Sequence, residues 1–229
     1  MEPSVPEGEL EILGLLPASS NYTFLAQVKG SPGTLVVYKP RQGETPLWDF
    51  VQGTLCQREV AAHLVARAAG WAFVPPTVLA DGPLGLGAVQ LFIDHDRSIT
   101  AFKLAQDHRC ELQQIAVFDL VTNNADRKAG HVFIDAAGRV WAVDHGLCFH
   151  AEEKLRTVLW DYVGDPIPEK ELEAIDKVLR ALEDKTIPEL EQLLFPEEIE
   201  ALKKRAERLL EHKAFPAPRS GRAYPWPPI

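Results

Sequence analysis

The sequence has few cysteines and no long apolar run. Its three cysteines, Cys56, Cys110 and Cys148, are widely separated and lack the spacing of metal ligands. An odd number without a pattern is typical of reduced thiols in a cytosolic protein, so we expect a cytoplasmic location. No apolar run reaches the roughly 18 residues that span a bilayer, which predicts the absence of a transmembrane segment. The chain starts with the acidic, proline-bearing stretch MEPSVPEGELEIL, which is unlike a signal peptide.

Positive charge is also scarce. The 229 residues include 24 Lys and Arg against 33 Asp and Glu, which gives a net charge of -9. Because nucleic-acid-binding surfaces are basic, this balance argues against a nucleic-acid partner. It argues weakly against docking on an anionic membrane through charge alone. The length allows one sizeable core or two small lobes that share a cleft.

A polar cluster stands between apolar segments in the middle of the chain, from Phe118 to Phe149. The cluster itself is Asn123–Lys128. Two short segments that alternate between apolar and polar residues follow it, 131–135 and 140–143, on either side of an Ala-Gly-Arg turn. Alternation at period two around a turn predicts a β-hairpin.

The predicted hairpin brings two carboxylates towards each other. Its second strand would return Asp144 towards Asp126, which follows the end of a predicted helix. Gly146 comes next, and glycine takes backbone angles that other residues avoid. Two carboxylates 18 positions apart, one before the hairpin and one after it, are compatible with an acid/base residue and a metal ligand.

This arrangement resembles the catalytic segment of the protein-kinase-like superfamily. It is most similar to the atypical branch with the phosphatidylinositol 3- and 4-kinases and the HipA-type bacterial kinases, in which an Asn-x-Asp-Arg loop precedes a metal-binding Asp-x-Gly. The matching residues are Asn124-Ala125-Asp126-Arg127 and Asp144-His145-Gly146. The resemblance implies an α+β, two-lobed fold, with an antiparallel β-sheet and one helix in the N-terminal lobe and mostly helices in the C-terminal lobe.

The first forty residues predict a meander of three strands, 9–16, 22–28 and 34–39, separated by short polar turns. In the family that the sequence resembles, the turn between the first two strands lies over the nucleotide phosphates. The residues in that place are Ser19, Ser20 and Asn21, and small residues let backbone N–H groups approach phosphate oxygens closely. An ordinary hairpin turn is the alternative.

A lysine and a glutamate occupy two further family positions. Lys39 ends the third strand, and Glu59 lies on the segment Leu55–Ala69, whose apolar spacing and following Gly70 predict a helix. The resemblance implies that Glu59 pairs with Lys39 and fixes it against the α- and β-phosphates. The alternatives are a lysine that extends to solvent and a glutamate on a solvated helix face.

Residues 71–78 and 87–93 predict two more strands, joined by a Gly/Pro loop. The second is almost continuously apolar, as a buried strand is. The resemblance places the hinge at its end, where the backbone of Gln90, Phe92 and Ile93 would meet the adenine. The alternative is that this segment is simply a strand of the core, and the two interpretations are compatible.

The second half of the chain predicts helices over 106–121, 169–183 and 196–212. The tail that follows contains five prolines and is predicted to lack regular structure, either packed as an extended arm or disordered. These patterns predict three parts: an N-terminal nucleotide-binding lobe (1–93), a C-terminal catalytic helical lobe (94–213) and a proline-rich tail (214–229).

Phosphoryl transfer needs an oriented nucleophile, a held triphosphate and neutralised charge. The resemblance implies that Asp126 orients or deprotonates the accepting hydroxyl, and that Asp144 binds Mg²⁺ at the phosphates of ATP. Lys39 would hold the phosphates, and Glu59 would hold Lys39. Arg127 would support the catalytic loop or balance the acidic charge, with an ordinary surface arginine as the alternative.

One position departs from the family pattern. Related kinases have an asparagine five residues after the catalytic aspartate as a second metal contact, and this chain has His131. Because neutral imidazole is softer than a carboxamide oxygen, Mn²⁺ becomes a second candidate metal. The alternative is that His131 is not a ligand and only one metal is held.

The order of these signals predicts an ATP-dependent phosphotransferase of EC class 2.7. Its acceptor is an unidentified hydroxyl of a protein, lipid or small molecule, recognised by Leu155–Pro168. A nucleotide-binding pseudokinase and an AMP transferase on the same fold are the alternatives. A His/Asp metal hydrolase built from His131, His145 and His150 lacks a framing motif. The sequence leaves the oligomeric state open.

Overall fold

The computed structural model describes residues 4–17, 21–219 and 221–229. Its N-terminal part is a five-stranded sheet in the order β1-β2-β3-β5-β4, in which every neighbouring pair is antiparallel. The predicted α+β architecture with an antiparallel N-terminal sheet is present. The strands are β1 Leu10–Leu15, β2 Phe24–Val28, β3 Leu35–Pro40, β4 Thr77–Gly82 and β5 Gly85–Leu91.

Strand β3 presents different residues to its two faces. Val36 and Tyr38 are buried in a small apolar core with β2 and β5, and the alternation of a strand therefore turns Lys39 to the other face. Beside it, Gly87 of β5 lies opposite Pro40. A Cβ at Gly87 would come within 2.5 Å of the Lys39 carbonyl oxygen, so the close approach of the two strands requires glycine.

Helix α1 has the predicted bounds, Leu55–Ala69, and packs against β4 and β5. It ends where Gly70 takes a left-handed conformation with φ 78° and donates its N–H to the Arg67 carbonyl at 3.0 Å. The helix holds Glu59 on its buried side.

The prediction of a strand over 71–78 is wrong. Residues 71–76 are irregular, and β4 begins only at Thr77 and continues to Gly82, through residues that we assigned to a loop. Pro75 and Pro76 explain the shift, because proline has no N–H to give to a sheet ladder. The following strand also begins two residues earlier than predicted and ends at Leu91.

The C-terminal part is mostly helical. Helices α4 and α6 have the predicted bounds, and the predicted hairpin is present as β6 and β7. No helix among the described residues is long and apolar enough to cross a bilayer. The elements are α2 Ala101–Leu104, α3 Arg109–Thr122, β6 Val132–Ile134, β7 Val140–Ala142, α4 Glu169–Glu183, α5 Leu190–Leu193 and α6 Pro196–His212.

One apolar core joins the two parts of the chain. Its buried members include Val65 of α1, Phe118 of α3, Ile175 of α4 and Leu202 of α6. The boundary that we predict near residue 93 stays a prediction. The three cysteines are free thiols, and Cys56 and Cys148 are buried.

The proline-rich tail packs as an extended arm, and its described residues form no helix or strand. Phe215 is buried against Tyr162. The Ala223 carbonyl accepts from the Thr157 N–H at 3.1 Å and from the Trp160 Nε1–H at 2.9 Å. The Pro228 carbonyl accepts from the Ala129 N–H at 2.8 Å. The arm therefore reaches the loop that carries Asp126.

Candidate active site

Lys39, Glu59 and Asp144 form one hydrogen-bonded cluster, although they come from β3, α1 and the segment after β7. The Lys39 ammonium donates to Glu59 Oε1 and, at 3.0 Å, to Asp144 Oδ1. The backbone N–H of His145 donates to Glu59 Oε2 at 3.1 Å. The predicted Lys39–Glu59 pair is present, and the Asp-x-Gly segment lies directly beside it.

The cluster is buried at one end and open at the other. The Glu59 side chain is 3% exposed, and the Asp144 side chain is 51% exposed. Burial alone would lower the pKa of Lys39, but the charges of Asp144 and Glu59 raise it, so the side chain stays a cation. Lys39 in turn holds the pKa of Asp144 well below its usual range. An ionised carboxylate and an ammonium therefore face the open end together.

Helix α1 is fixed to the C-terminal part next to Glu59. Arg58 is fully buried, donates to the Cys148 carbonyl at 2.7 Å and pairs with Glu198 of α6 at 2.5 Å. This pair spans the two parts of the chain. It fixes the turn of α1 that presents Glu59 to Lys39.

The loop after α3 positions Asp126. Asn124 is buried, donates to Asp119 at 3.0 Å and accepts the Asp126 N–H at 3.0 Å, which sets the direction of the loop. The Asp126 side chain is 28% exposed and pairs with Lys128 Nζ at 3.2 Å. Burial raises the pKa of Asp126, and the Lys128 ammonium opposes this shift.

Arg127 supports the loop from within the protein. Its guanidinium is fully buried and makes hydrogen bonds of 3.0 to 3.1 Å to Asp119. A second donor, Nη1, reaches the Val143 carbonyl at 2.8 Å. The alternative of a surface arginine is wrong, because nothing of its side chain is exposed. Arg127 therefore joins the loop after α3 to the segment that precedes Asp144.

His131 faces Asp144, which has a left-handed backbone with φ 63°. The distance from His131 Nε2 to Asp144 Oδ2 is 3.3 Å, and His131 Nδ1 accepts the Lys128 N–H at 3.4 Å. Burial lowers the pKa of His131 to about 4, so the ring is neutral, and these two contacts assign its proton to Nε2. A donor to Asp144 cannot bind a metal through the same nitrogen. This geometry favours the interpretation in which His131 is not a ligand.

The three residues predicted to contact the base differ in position: Gln90 lies within β5, whereas Phe92 and Ile93 follow its end. Gln90 lies in mid-sheet, where it pairs with Val37 on one side and Thr77 on the other. Its buried side-chain amide donates a hydrogen bond to Thr77 Oγ1 at 2.9 Å. Because neighbouring strands pair with the Gln90 backbone on both sides, an adenine base cannot reach it. Gln90 therefore does not make the predicted backbone contact with adenine. Phe92 and Ile93 follow the end of β5 and are partly exposed, although the Phe92 N–H is bonded to the Leu35 carbonyl at 3.0 Å.

The predicted phosphate turn is described only at its end. Ser19 and Ser20 lie outside the described residues. Asn21 accepts the Thr45 N–H at 2.7 Å through its side-chain oxygen. This bond ties the turn to the loop after β3.

Sequence reasoning missed several residues that build the site. Asp119 and Arg58 are buried charges within helices, and Lys128 stands beside the motif without a role in it. The signal for Asp119 was an acidic residue inside an otherwise apolar run. No such signal marked Arg58, whose partner Glu198 is 140 positions away.

The donor set can be tested against a divalent metal. Among the described residues, no three His, Cys, Asp or Glu side chains are arranged to hold a metal by themselves. His131, His145 and His150 therefore form no such group. At a nucleotide, Mg²⁺ takes one or two protein carboxylates and completes its shell with phosphate oxygens and water. Asp144 has the properties that such a carboxylate needs, because it is ionised and half exposed.

The fold is similar to that of three solved structures, two of which are kinases. The proinflammatory kinase CtkA of Helicobacter pylori has a TM-score of 0.55 at 12% identity, over 93% of this chain and 95% of that one. Hydra Fam20, solved with sugar, has a TM-score of 0.53 at 14% identity, over 90% and 86%. The Golgi casein kinase with Mn/ADP bound has a TM-score of 0.50 at 14% identity, over 90% and 73%. The protein therefore has a protein-kinase-like fold.

The chain belongs to the family of the Mycobacterium tuberculosis protein Rv2133c. The two are 38% identical over 257 aligned positions, which cover 96% of this chain and 92% of that protein. Phosphatidylinositol 4-kinase gamma 4 of rice is 30% identical over 124 residues, 46% of this chain but 22% of that protein. No protein-family model matches the sequence. The place of the chain in the phosphatidylinositol 3-/4-kinase branch stays a prediction.

Proposed function

We propose that this protein is an ATP-dependent phosphotransferase that moves the γ-phosphoryl group of ATP to a hydroxyl acceptor. The observation that carries the proposal is the bridge that Lys39 makes between Glu59 and Asp144. A cation held by a buried carboxylate and presented beside an exposed one is the arrangement that phosphate and metal binding require. The proposal includes a place for the chain in the phosphatidylinositol 3-/4-kinase-like branch.

The nucleotide would lie between the sheet and the catalytic loop. Lys39 would contact the phosphates, and Glu59, itself held by Arg58 and helix α1, would keep Lys39 in place. Ser19, Ser20 and Asn21 would cover the phosphates with backbone N–H groups. Phe92 and Ile93 would meet the base at the exit of β5. In this proposal residues 1–93 supply most of the nucleotide site, and residues 94–213 supply the catalytic carboxylates.

Asp144 would hold Mg²⁺, with Mn²⁺ as a second candidate. The metal would supply charge neutralisation at the phosphate oxygens. His131 would donate to Asp144 Oδ2 and orient the carboxylate, which is the usual task of an outer hydrogen bond at a metal ligand.

Asp126 would orient the acceptor hydroxyl for attack on the γ-phosphorus. The bond between that phosphorus and the bridging oxygen of ADP breaks, the bond to the acceptor oxygen forms, and the hydroxyl proton passes to Asp126 or to water. Lys128, 3.2 Å from Asp126, would place a positive charge near the transferred group. The segment Leu155–Pro168 would contact the acceptor, since the Arg156 carbonyl and N–H bond to the catalytic loop.

Labelled ATP tests this proposal and separates it from its alternatives. The protein is incubated with [γ-³²P]ATP or [α-³²P]ATP, Mg²⁺ and a mixture of proteins, lipids and small metabolites. We expect γ-label on an acceptor, lost in Asp126→Asn and kept in Asp107→Asn, a control on an exposed carboxylate. Transfer of α-label would instead indicate an AMP transferase. Binding of ATP with neither label transferred would indicate a pseudokinase.

A further inference from the structure

A cavity of about 1010 Å³ lies behind helix α1, and neither Lys39 nor Asp144 lines it. One wall is a face of α1 formed by Val60, Leu64 and Arg67, which recur at steps of three and four residues. Other lining residues come from β4 and from the irregular segment before it. The cavity is therefore separate from the candidate active site but shares a helix with it.

The lining has a defined chemistry. Its floor contains aromatic and aliphatic side chains, among them Trp71, Val74 and Trp141. Arg67 and Arg139 stand at the rim, with the Arg139 guanidinium 4.1 Å from the centre of the Trp141 ring. His63 also lines the cavity, and Glu189 is the only acidic residue among its described lining residues. In a protein of net charge -9, this is a locally positive, largely apolar site.

We propose that this cavity binds a small anionic amphiphile, a molecule with an apolar body and one carboxylate, sulfonate or phosphate group. The volume is at the upper end of the range for sites of small ligands, about 300–1,000 Å³. The apolar body would lie on Trp71 and Trp141. The anionic group would meet Arg67 and Arg139, whose planar guanidinium groups suit carboxylate and phosphate oxygens.

The bound molecule would act on the active site through α1. Val60 and Leu64 line the cavity on the same helix that presents Glu59 to Lys39. A ligand that holds this face of the helix would stabilise the Lys39–Glu59 pair and raise the affinity for nucleotide, and linkage requires nucleotide to raise its affinity by the same factor. This second step rests on the proposed function, whereas the binding site does not.

Binding is tested with 1-anilinonaphthalene-8-sulfonate, an aromatic anion that fluoresces in apolar sites. The probe itself is excited, so that the signal does not depend on the tryptophans of the protein. We expect one saturable site per chain. Val78→Trp should abolish it, because Val78 lines the cavity and is 40% exposed, so a larger side chain fills the space without entering the core. Leu84→Trp, on an exposed turn outside the cavity, is the matched control. Arg67→Glu and Arg139→Glu should each weaken binding about tenfold and Arg97→Glu should not, because only the first two reverse charges at the site.

The outcomes distinguish binding in the cavity from coupling to the active site through α1. Saturable binding that is the same in Val78→Trp, Arg67→Glu and Arg139→Glu as in the native chain would overturn the site. If the site binds the probe but saturation leaves the affinity for ADP unchanged, the coupling through α1 is wrong. A protein that binds no nucleotide under any condition refutes the proposed function, while the fluorescence titrations still decide whether the cavity is a site.

Discussion

Arg127 Nη1 donates to the Val143 carbonyl at 2.8 Å, which joins the residue after Asp126 to the residue before Asp144. The same guanidinium is paired with Asp119 and has no exposed surface. One buried arginine therefore fixes the relative position of the two carboxylates to which we assign the chemistry. The spacing of 18 positions in the sequence becomes a spatial pair through this contact.

Replacing Arg127 with methionine tests that role. The variant leaves the Asp119 carboxylate buried without its partner, and breaking a buried pair in this way costs about 3–5 kcal/mol. We expect a loss of that size in the free energy of unfolding, measured with urea. Arg180→Met, which removes an exposed pair with Asp176, should cost roughly 1 kcal/mol or less. A loss for Arg127→Met no larger than the loss for Arg180→Met would contradict the assigned role.

Glu59→Gln removes the charge that holds Lys39. The fold should persist, because glutamine has the same shape and can still accept the His145 N–H. The Lys39 ammonium would shift towards Asp144, and misplacement of a catalytic group by about 1 Å can cost roughly 10²-fold. We expect kcat/KM for γ-phosphoryl transfer to fall by about that factor, and Glu111→Gln on an exposed face of α3 to have no effect. Full activity in Glu59→Gln would show that the pair is only structural.

The pH dependence of transfer should report on Asp126. Burial raises the pKa of this carboxyl, and Lys128 opposes the shift. Protonation removes the oxygen that accepts from the substrate hydroxyl, so activity should be present above the pKa and lost as the pH falls through it. Lys128→Met removes the opposing cation, so the acid limb of the profile should move to higher pH. A limb that stays in place or moves down would exclude Asp126 as the titrating group.

Removing the end of the tail should weaken the fold. Deletion of residues 223–229 eliminates the acceptors for Thr157, Trp160 and Ala129. At about 1 kcal/mol for each hydrogen bond, we expect the free energy of unfolding to fall by about 3 kcal/mol. Trp226→Ala changes a side chain that is 80% exposed and should shift the free energy of unfolding by less than about 0.5 kcal/mol. An unchanged stability after the deletion would mean that these contacts contribute nothing.

Local patterns predicted much of the fold. The bounds of α1, α4 and α6 and the β6–β7 hairpin followed from apolar periodicity and from Gly70 and Pro196 at helix ends. The strand over 71–78 failed because an apolar run was weighted above two adjacent prolines. Strand pairing between β3 and β5 could not be deduced, since it joins residues about fifty positions apart.

The site was predictable where its residues carry a motif. Lys39, Glu59, Asp126 and Asp144 stand in the order of the family that the sequence resembles, and the structure brings Lys39, Glu59 and Asp144 together. The supports were not predictable, because Arg58–Glu198 and Arg127–Val143 are long-range contacts without a local pattern. Gln90 was misassigned because a sequence does not show that strands flank it on both sides.

The most direct test of the central claim is a calorimetric titration of ADP into the native protein and into Asp144→Asn, each with and without Mg²⁺. If Asp144 holds a metal at the phosphates beside Lys39, Mg²⁺ should tighten ADP binding about tenfold or more in the native chain and have no effect in Asp144→Asn. Asp107→Asn should behave as the native chain does. The same Mg²⁺ dependence in Asp144→Asn as in the native protein would contradict the account.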